Sequence, residues 1–362
     1  MKNLLWATIL IFLLALNSTP LNAQLSGTYT IGSGGNYSTF TAAVNDLTSQ
    51  GVSGAVIFNV LNGTYTDQFV IGQITGASSS NTIAFQSQSG NATDVALQFT
   101  PTASNNYVVR LNQADYITFQ NMTLIASGST SYGVVIKLDG DANNNRFIDN
   151  ILTSVSTTSS SANLAILYAD GDSLDNTVIS GNTFSNGSYG VYLDGVSTSV
   201  PSSGLQITGN TFSTTGYNPI FARYQTSPQI NGNTMTVPNA SRGMELHNCN
   251  GALQVQKNTI SLSSSSYGIY LYQSDGGTGI PTPRGLIANN VVAIGGTSTA
   301  YGIYLYTCTN QDLYYNSVNI TSTSISSGQA LRVENAGGSG INIVNNIFAN
   351  QGGGYSYYNA GA

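Results

Sequence analysis

Tyr301-Gly302-Ile303-Tyr304-Leu305-Tyr306 is a six-residue stretch that the chain repeats at Tyr267 to Tyr272 and, with a carboxylate in last place, at Tyr189 to Asp194. A second element travels with it, an asparagine with an apolar residue three positions before and another two after. It reads Phe147/Asn150/Leu152, Ile179/Asn182/Phe184, Ile207/Asn210/Phe212, Ile230/Asn233/Met235, Val255/Asn258/Ile260, Ile287/Asn290/Val292, Leu313/Asn316/Val318 and Ile343/Asn346/Phe348. Successive asparagines stand 32, 28, 23, 25, 32, 26 and 30 residues apart. A recurring unit of that length marks a solenoid, each repeat being one coil.

Every repeat consists of short extended runs and Gly/Asn/Ser turns without helical periodicity. Each coil is therefore expected to pair in parallel with the coils above and below, about 4.8 Å away. An asparagine at a fixed place in every coil fits a bend near the left-handed region, which Asn tolerates. Stacked at coil spacing, its amides can bond to one another as a ladder. Leucine-rich, hexapeptide and calcium-binding nonapeptide patterns do not recur.

With these repeats the chain resembles the right-handed parallel β-helices of the pectin-lyase-like superfamily over roughly residues 27 to 350. The resemblance implies an all-β, single-stranded parallel β-helix with a short N-terminal capping α-helix. The segment from Tyr37 through Ala55-Val56-Ile57-Phe58-Asn59-Val60 and Gly63-Thr64-Tyr65 is similar to the opening of pectin methylesterases and pectate lyases. No D-F-I-F-G or G-Q-D-T-L motif follows, nor the N-T-D, G-H-G and R-I-K signatures of polygalacturonases. No catalytic residue is carried over from the family.

Lys2, the apolar run Leu4 to Leu16 and Leu21-Asn22-Ala23 read as a secretory signal cleaved after Ala23. The chain divides into a signal peptide (1–23), an N-terminal cap and first coils (24–100), β-helix repeats (101–350) and a truncated continuation (351–362). No second hydrophobic run is long enough to span a membrane, so none is expected in the mature chain. In the cap, Ser38 or Asn36 is placed to start a helix whose face carries Phe40, Ala43, Val44 and Leu47, and Gly51 to end it. Gly352 to Tyr358 offers no closing rung, so the chain reads as a piece of a larger protein.

Charged residues are 7%, far below the ~25% of ordinary globular proteins, while the 41% hydrophobic content in regular frames argues against disorder. A net charge of −6 leaves no basic patch for nucleic acid. Cys249, Ser274 and Cys308 fall in one column, placing the cysteines two coils apart, about 9–10 Å by strand spacing. That is beyond disulfide reach, so two free thiols, facing inward or into turns, are expected.

The copied strand supplies the candidate site, because residues of one parity face outward. Aligned on the motif, position four runs Val135, Ile166, Tyr192, Glu245, Tyr270, Tyr304, Arg332, and position six runs Lys137, Tyr168, Asp194, His247, Tyr272, Tyr306, Glu334. Tyr168, Tyr192, Tyr270, Tyr272, Tyr304 and Tyr306 form a candidate sugar-binding surface, flat rings with a polar tip. Asp194, Glu245, His247, Lys137 and, from the irregular coil at Phe221, Arg223 are the candidate catalytic groups. A lyase would need a base and a cation, a glycoside hydrolase two carboxylates. Asp139, Asp141, Asp170 and Asp172 lie in two Asp-Gly-Asp turns suited to calcium, the one cofactor the sequence suggests, though Asp-Gly is also ordinary turn chemistry.

The leading reading is a secreted or cell-surface module, part of an adhesin, whose partner is a polysaccharide or cell-surface glycan. A polysaccharide lyase or glycoside hydrolase, and a purely structural stalk, are the alternatives.

Overall fold

The computed structural model of the chain describes residues 24–361 except 129, 239, 264–266, 277–282, 324–327 and 335–339. The expected signal peptide lies outside the described residues. Among them, three long parallel sheets of twelve, eleven and eleven strands share one axis, with strands far apart in sequence lying side by side. A typical coil runs Gln229–Asn231 in the first sheet, Thr234–Thr236 in the second and Arg242–His247 in the third. The chain is an all-β solenoid of about eleven turns.

Inward residues of the same coil position stack on their copies. Phe58, Phe85, Phe119 and Phe147 form one file with ring separations of 4.8, 5.1 and 6.4 Å. Phe184 and Phe212 form another at 4.7 Å. Identical neighbours pack without voids at the coil spacing, which keeps the apolar frame periodic.

The expected asparagine ladder is present. From Asn150 to Asn316, each side-chain amide donates to Oδ1 of the next asparagine at 2.9–3.1 Å. Each Nδ2 also donates to a backbone carbonyl of the coil before, as Asn233 does to Ile207 O at 2.8 Å. Each Oδ1 accepts a backbone N–H as well, so the buried amide uses all of its bonding capacity. One detail differs from expectation: the left-handed residue is the one before the ladder asparagine. Asp149, Gly181, Gly209, Gly232, Lys257, Asn289, Tyr315 and Asn345 have φ between 52 and 69°. That residue turns the backbone, which aims the following asparagine into the stack.

Helix α1 (Phe40–Gln50) covers the first coils with Phe40, Ala43, Val44 and Leu47 and ends at Gly51, φ 70°. Its cap is Thr39, which accepts from the Ala42 N–H at 3.1 Å, rather than Ser38 or Asn36. Asn36 instead closes the preceding turn, its Oδ1 accepting the Thr30 N–H at 2.8 Å. Cys249 and Cys308 are buried thiols outside any disulfide, and burial pushes both up to about 12. No helix among the described residues is long and apolar enough to cross a membrane.

Candidate functional site

The copied strand lies in the third sheet, and its glycine decides which side chains face water. A Cβ on Gly302 would collide with Val318 Cγ1 and the Ala330 carbonyl, and one on Gly268 with the Gly302 carbonyl and Val292 Cγ1. The glycine therefore points inward together with the residue after it. Pairing skips that position, from Tyr267↔Tyr301 to Ile269↔Ile303, as at a bulge. Position one is thereby turned outward beside position four, and the rings of Tyr267 and Tyr270 stack at 4.9 Å.

Two full outward columns result. One runs Arg110, Lys137, Tyr168, Tyr192, Phe221, Glu245, Tyr270, Tyr304, Arg332. The other holds Asp139 in one coil and, in consecutive coils, Asp170, Asp194, Arg223, His247, Tyr272, Tyr306 and Glu334. This corrects the sequence alignment in the early coils by two residues. Lys137 and Tyr168 belong with Tyr192, whereas Val135 and Ile166 are fully buried. The cause is again a bulge: the Val135 carbonyl accepts from both Val108 and Val109 N–H, and Val135 and Ile136 both face the core.

Rings repeated at coil spacing stack on one another. Tyr168 and Tyr192 lie 5.5 Å apart, Tyr192 and Phe221 4.8 Å, Tyr270 and Tyr304 4.9 Å, and Tyr272 and Tyr306 5.2 Å. Neighbours thus cover the ring faces, while edges and hydroxyls line the surface. Tyr304 is only 8% exposed. Burial, with Asp194 and Asp170 adding to it, pushes Tyr192 up to about 12. Burial likewise raises Tyr168, Tyr189, Tyr270 and Tyr304, so these hydroxyls remain protonated donors at neutral pH.

The ionisable groups are paired across this face. Asp194 is held two-fold by Arg223, with Nε–Oδ1 at 2.5 Å. Glu245 is held by Arg242, by His247 Nε2 at 2.9 Å and by Asn218 Nδ2 at 3.0 Å. Burial would raise the Glu245 carboxyl, but His247 and Arg242 outweigh it and hold it below the usual range. Asp139 takes Arg110 at 2.5 Å and Lys137 at 3.1 Å, and Glu334 takes Arg332 at 2.5 Å and the Tyr304 hydroxyl at 2.7 Å. Asp194 and Glu245 stand two coils apart, each against its own arginine.

The four aspartates proposed for calcium do not converge. Asp139 is taken by the two bases, Asp170 accepts from the Tyr168 hydroxyl at 3.2 Å, Asp141 from Ser173 N–H and Asp172 from Gly140 N–H, both at 2.8 Å. Among the described residues no group of three or more His, Cys, Asp or Glu is placed to hold a metal. The donor set does not fit a calcium cradle, because its oxygens are spent on turns and ion pairs.

Tyr168 and Lys137 line a hollow of about 220 Å³ with Asn106, Tyr107, Arg110 and Asn163. One face of Tyr168 is stacked on Tyr192, and next in its column on the other side is Lys137. Arg110, Tyr107, Arg242, Tyr267 and Tyr301 were missed from sequence. For the last three, the signal was a glycine directly after each in a strand, the mark of a bulge.

Residues 107–280 and 165–318 both match the family described as the right handed beta helix region, and the chain belongs to that family. It is a right-handed parallel β-helix. Among solved structures, it is similar to the Streptococcus pneumoniae surface protein and adhesin PfbA at 13% identity, covering 88% of this chain and 95% of that one, with a TM-score of 0.54. Pectin methylesterase from Aspergillus niger matches at 14% identity over 94% and 88% of the two chains, with a TM-score of 0.36. No curated protein sequence matches.

Proposed function

We propose that the chain is a glycan-binding module displayed outside the cell, in the manner of an adhesin, which holds a polysaccharide along the outward face of its third sheet. The observation that carries this reading is the aromatic column ending at Tyr168. Along the column a sugar chain meets ring edges and the hydroxyls of Tyr192 and Tyr270, while those of Tyr168 and Tyr304 already donate to Asp170 and Glu334. In the hollow beside Tyr168, one sugar ring can pack against an aromatic side chain, with Asn106 and Asn163 amides near its hydroxyls.

Binding suits the electrostatics better than turnover. A general acid needs a carboxyl whose pKa is raised, and Glu245 shifts the other way. The carboxylates of Asp139, Asp194, Glu245 and Glu334 each face a base, which leaves a neutral, rigid surface. The likeness in fold to a streptococcal surface adhesin is consistent with such a role.

A glycan array with the wild type and a Tyr168→Ala/Lys137→Ala variant tests the proposal. Binding that falls at least tenfold in the variant supports it. No binding by the wild type, or binding indifferent to the change, overturns it. A reducing-sugar or unsaturated product abolished by Asp194→Ala would replace it with an enzyme.

A further inference from the structure

A second groove lies on another face, the outward side of the first sheet, and has a volume of about 340 Å³. Its floor is a column in register, Thr118, Arg146, Val178 and Gln206, and its rim is the turn residue two positions before each. With Ser79 and Thr82 at one end it crosses five coils, four spacings of about 4.8 Å or about 19 Å along the axis.

Arg146 lies exposed on that floor. Among the described residues, Arg110, Arg223, Arg242, Arg284 and Arg332 each have a carboxylate at ion-pair distance, and Arg146 has none. No acidic side chain lines the groove. The aspartates of the adjoining turns face the backbone instead, Asp115 accepting from Asn143 N–H and Asp175 from Ser203 N–H, both at 2.6 Å. A guanidinium without a partner, in a chain that pairs its other arginines, is available for a ligand anion.

The rim supplies an independent observation. Tyr116, Asn144, Asn176 and Gly204 occupy the same left-handed turn position in successive coils, with φ of 62, 59, 57 and 72°. Asparagine and glycine adopt that conformation readily, whereas an aromatic residue there is strained. Tyr224 and Tyr315 hold the same conformation at other turns, and here it sets a ring at the groove.

The geometry points to a second glycan site, in which a saccharide chain lies along the axis with a sugar carboxylate or sulfate on Arg146 and a ring packed against Tyr116. The amides of Asn144, Asn176 and Gln206 meet its hydroxyls. A protein partner would need an apolar centre, and the floor offers only Val178. Nucleic acid would need many cations, and the groove has one. This site does not depend on the third-sheet reading.

The test is calorimetry in the Tyr168→Ala/Lys137→Ala background, so that the third-sheet hollow does not contribute. Hexagalacturonate, a sulfated hexasaccharide and a neutral cellohexaose are titrated. Either acidic chain should bind, with uronate or sulfate preference assigning the anion, and Arg146→Gln should weaken it at least tenfold. Tyr116→Asn should also weaken binding while leaving the Tm equal or higher, because Asn144 and Asn176 already hold that conformation. No acidic chain binding, equal binding of the neutral chain, or binding unchanged by Arg146→Gln overturns the proposal.

Discussion

Truncating one rung of the asparagine ladder tests what holds the solenoid together. In Asn233→Ala, the Asn210 N–H loses the Oδ1 that it meets at 3.0 Å, and the Ile207 carbonyl loses the Nδ2 at 2.8 Å. Two other ladder atoms keep partners: Asn210 Nδ2 still donates to the Ile179 carbonyl, and Asn258 Oδ1 still accepts from the backbone N–H of residue 233. The buried Asn210 N–H is left unsatisfied at roughly 1–3 kcal/mol, and the Ile207 carbonyl keeps only its bond within the first sheet, so the loss should be about 3 kcal/mol. Asn346→Ala, in a half-exposed last rung, should cost about 1 kcal/mol because water can replace its bonds. Urea unfolding gives both values, and hydrogen exchange across 206–236 shows whether the loosening stays near the altered coil, as a stacked array allows. A loss below about 1 kcal/mol for Asn233→Ala, or equal losses at both positions, would refute the ladder as a main stabilising element.

Glu245 has its carboxyl lowered in the fold, so its contribution is complete above the ordinary value of 4.5 and lost as pH falls through the folded value. Glu245→Gln should flatten the acid limb of stability below that pH, and at pH 7 it should destabilise by leaving Arg242 without its anion, both read from unfolding at several pH values. The raised tyrosines have the opposite sign: their contribution holds below the ordinary 10.0 and is lost as pH rises. Absorbance titration at alkaline pH should show Tyr192, Tyr270 and Tyr304 ionising only as the chain unfolds, and a smooth transition near pH 10 for all tyrosines would contradict the stacked wall. Gly302→Ala should destabilise by about 1–3 kcal/mol, since its Cβ meets Val318 and the Ala330 carbonyl in a packed interior. Thiol reagents should leave Cys249 and Cys308 unmodified until denaturant is added, and rapid native labelling would show that the interior is open.

The parallel coil and the ladder were legible because they recur: an asparagine in a fixed apolar frame has one geometric meaning when it returns eight times. The outward columns were only partly legible. Alternation gives positions four and six correctly in Tyr267–Tyr272 and Tyr301–Tyr306, but it assigns position one inward. The inward glycine reverses that parity, and Arg242, Tyr267 and Tyr301 come to the surface. In the earlier coils Tyr132-Gly133 resembles the start of the motif, yet the bulge falls at Val135, which shifts Lys137 and Tyr168 by one column. Ion pairing was illegible for a related reason. Arg110 and Asp139, or Arg242 and Glu245, become neighbours only once the register is fixed.

This division between a conserved frame and a variable face follows from where hydrogen bonds are spent. The ladder and the sheets satisfy the backbone and the ladder amides of the coils they span, so most outward residues of the third sheet, Glu245 with its bond to Asn218 excepted, are not needed to complete the coil. That column can pass from Asp170 and Asp194 to Arg223, His247, Tyr272, Tyr306 and Glu334 while the inward Leu193, Ala222, Leu246, Leu271, Leu305 and Val333 stay small or apolar. A single outward change then alters recognition locally. A single inward change propagates through the stack, because its neighbours above and below are shaped to it. Binding energy on such a wall comes from repetition along the axis, so removing one mid-column ring should weaken a long glycan only modestly. Removing Tyr168, where the column borders the hollow, should weaken short and long glycans alike, and comparing the two on oligosaccharides of increasing length separates a continuous wall from a single pocket.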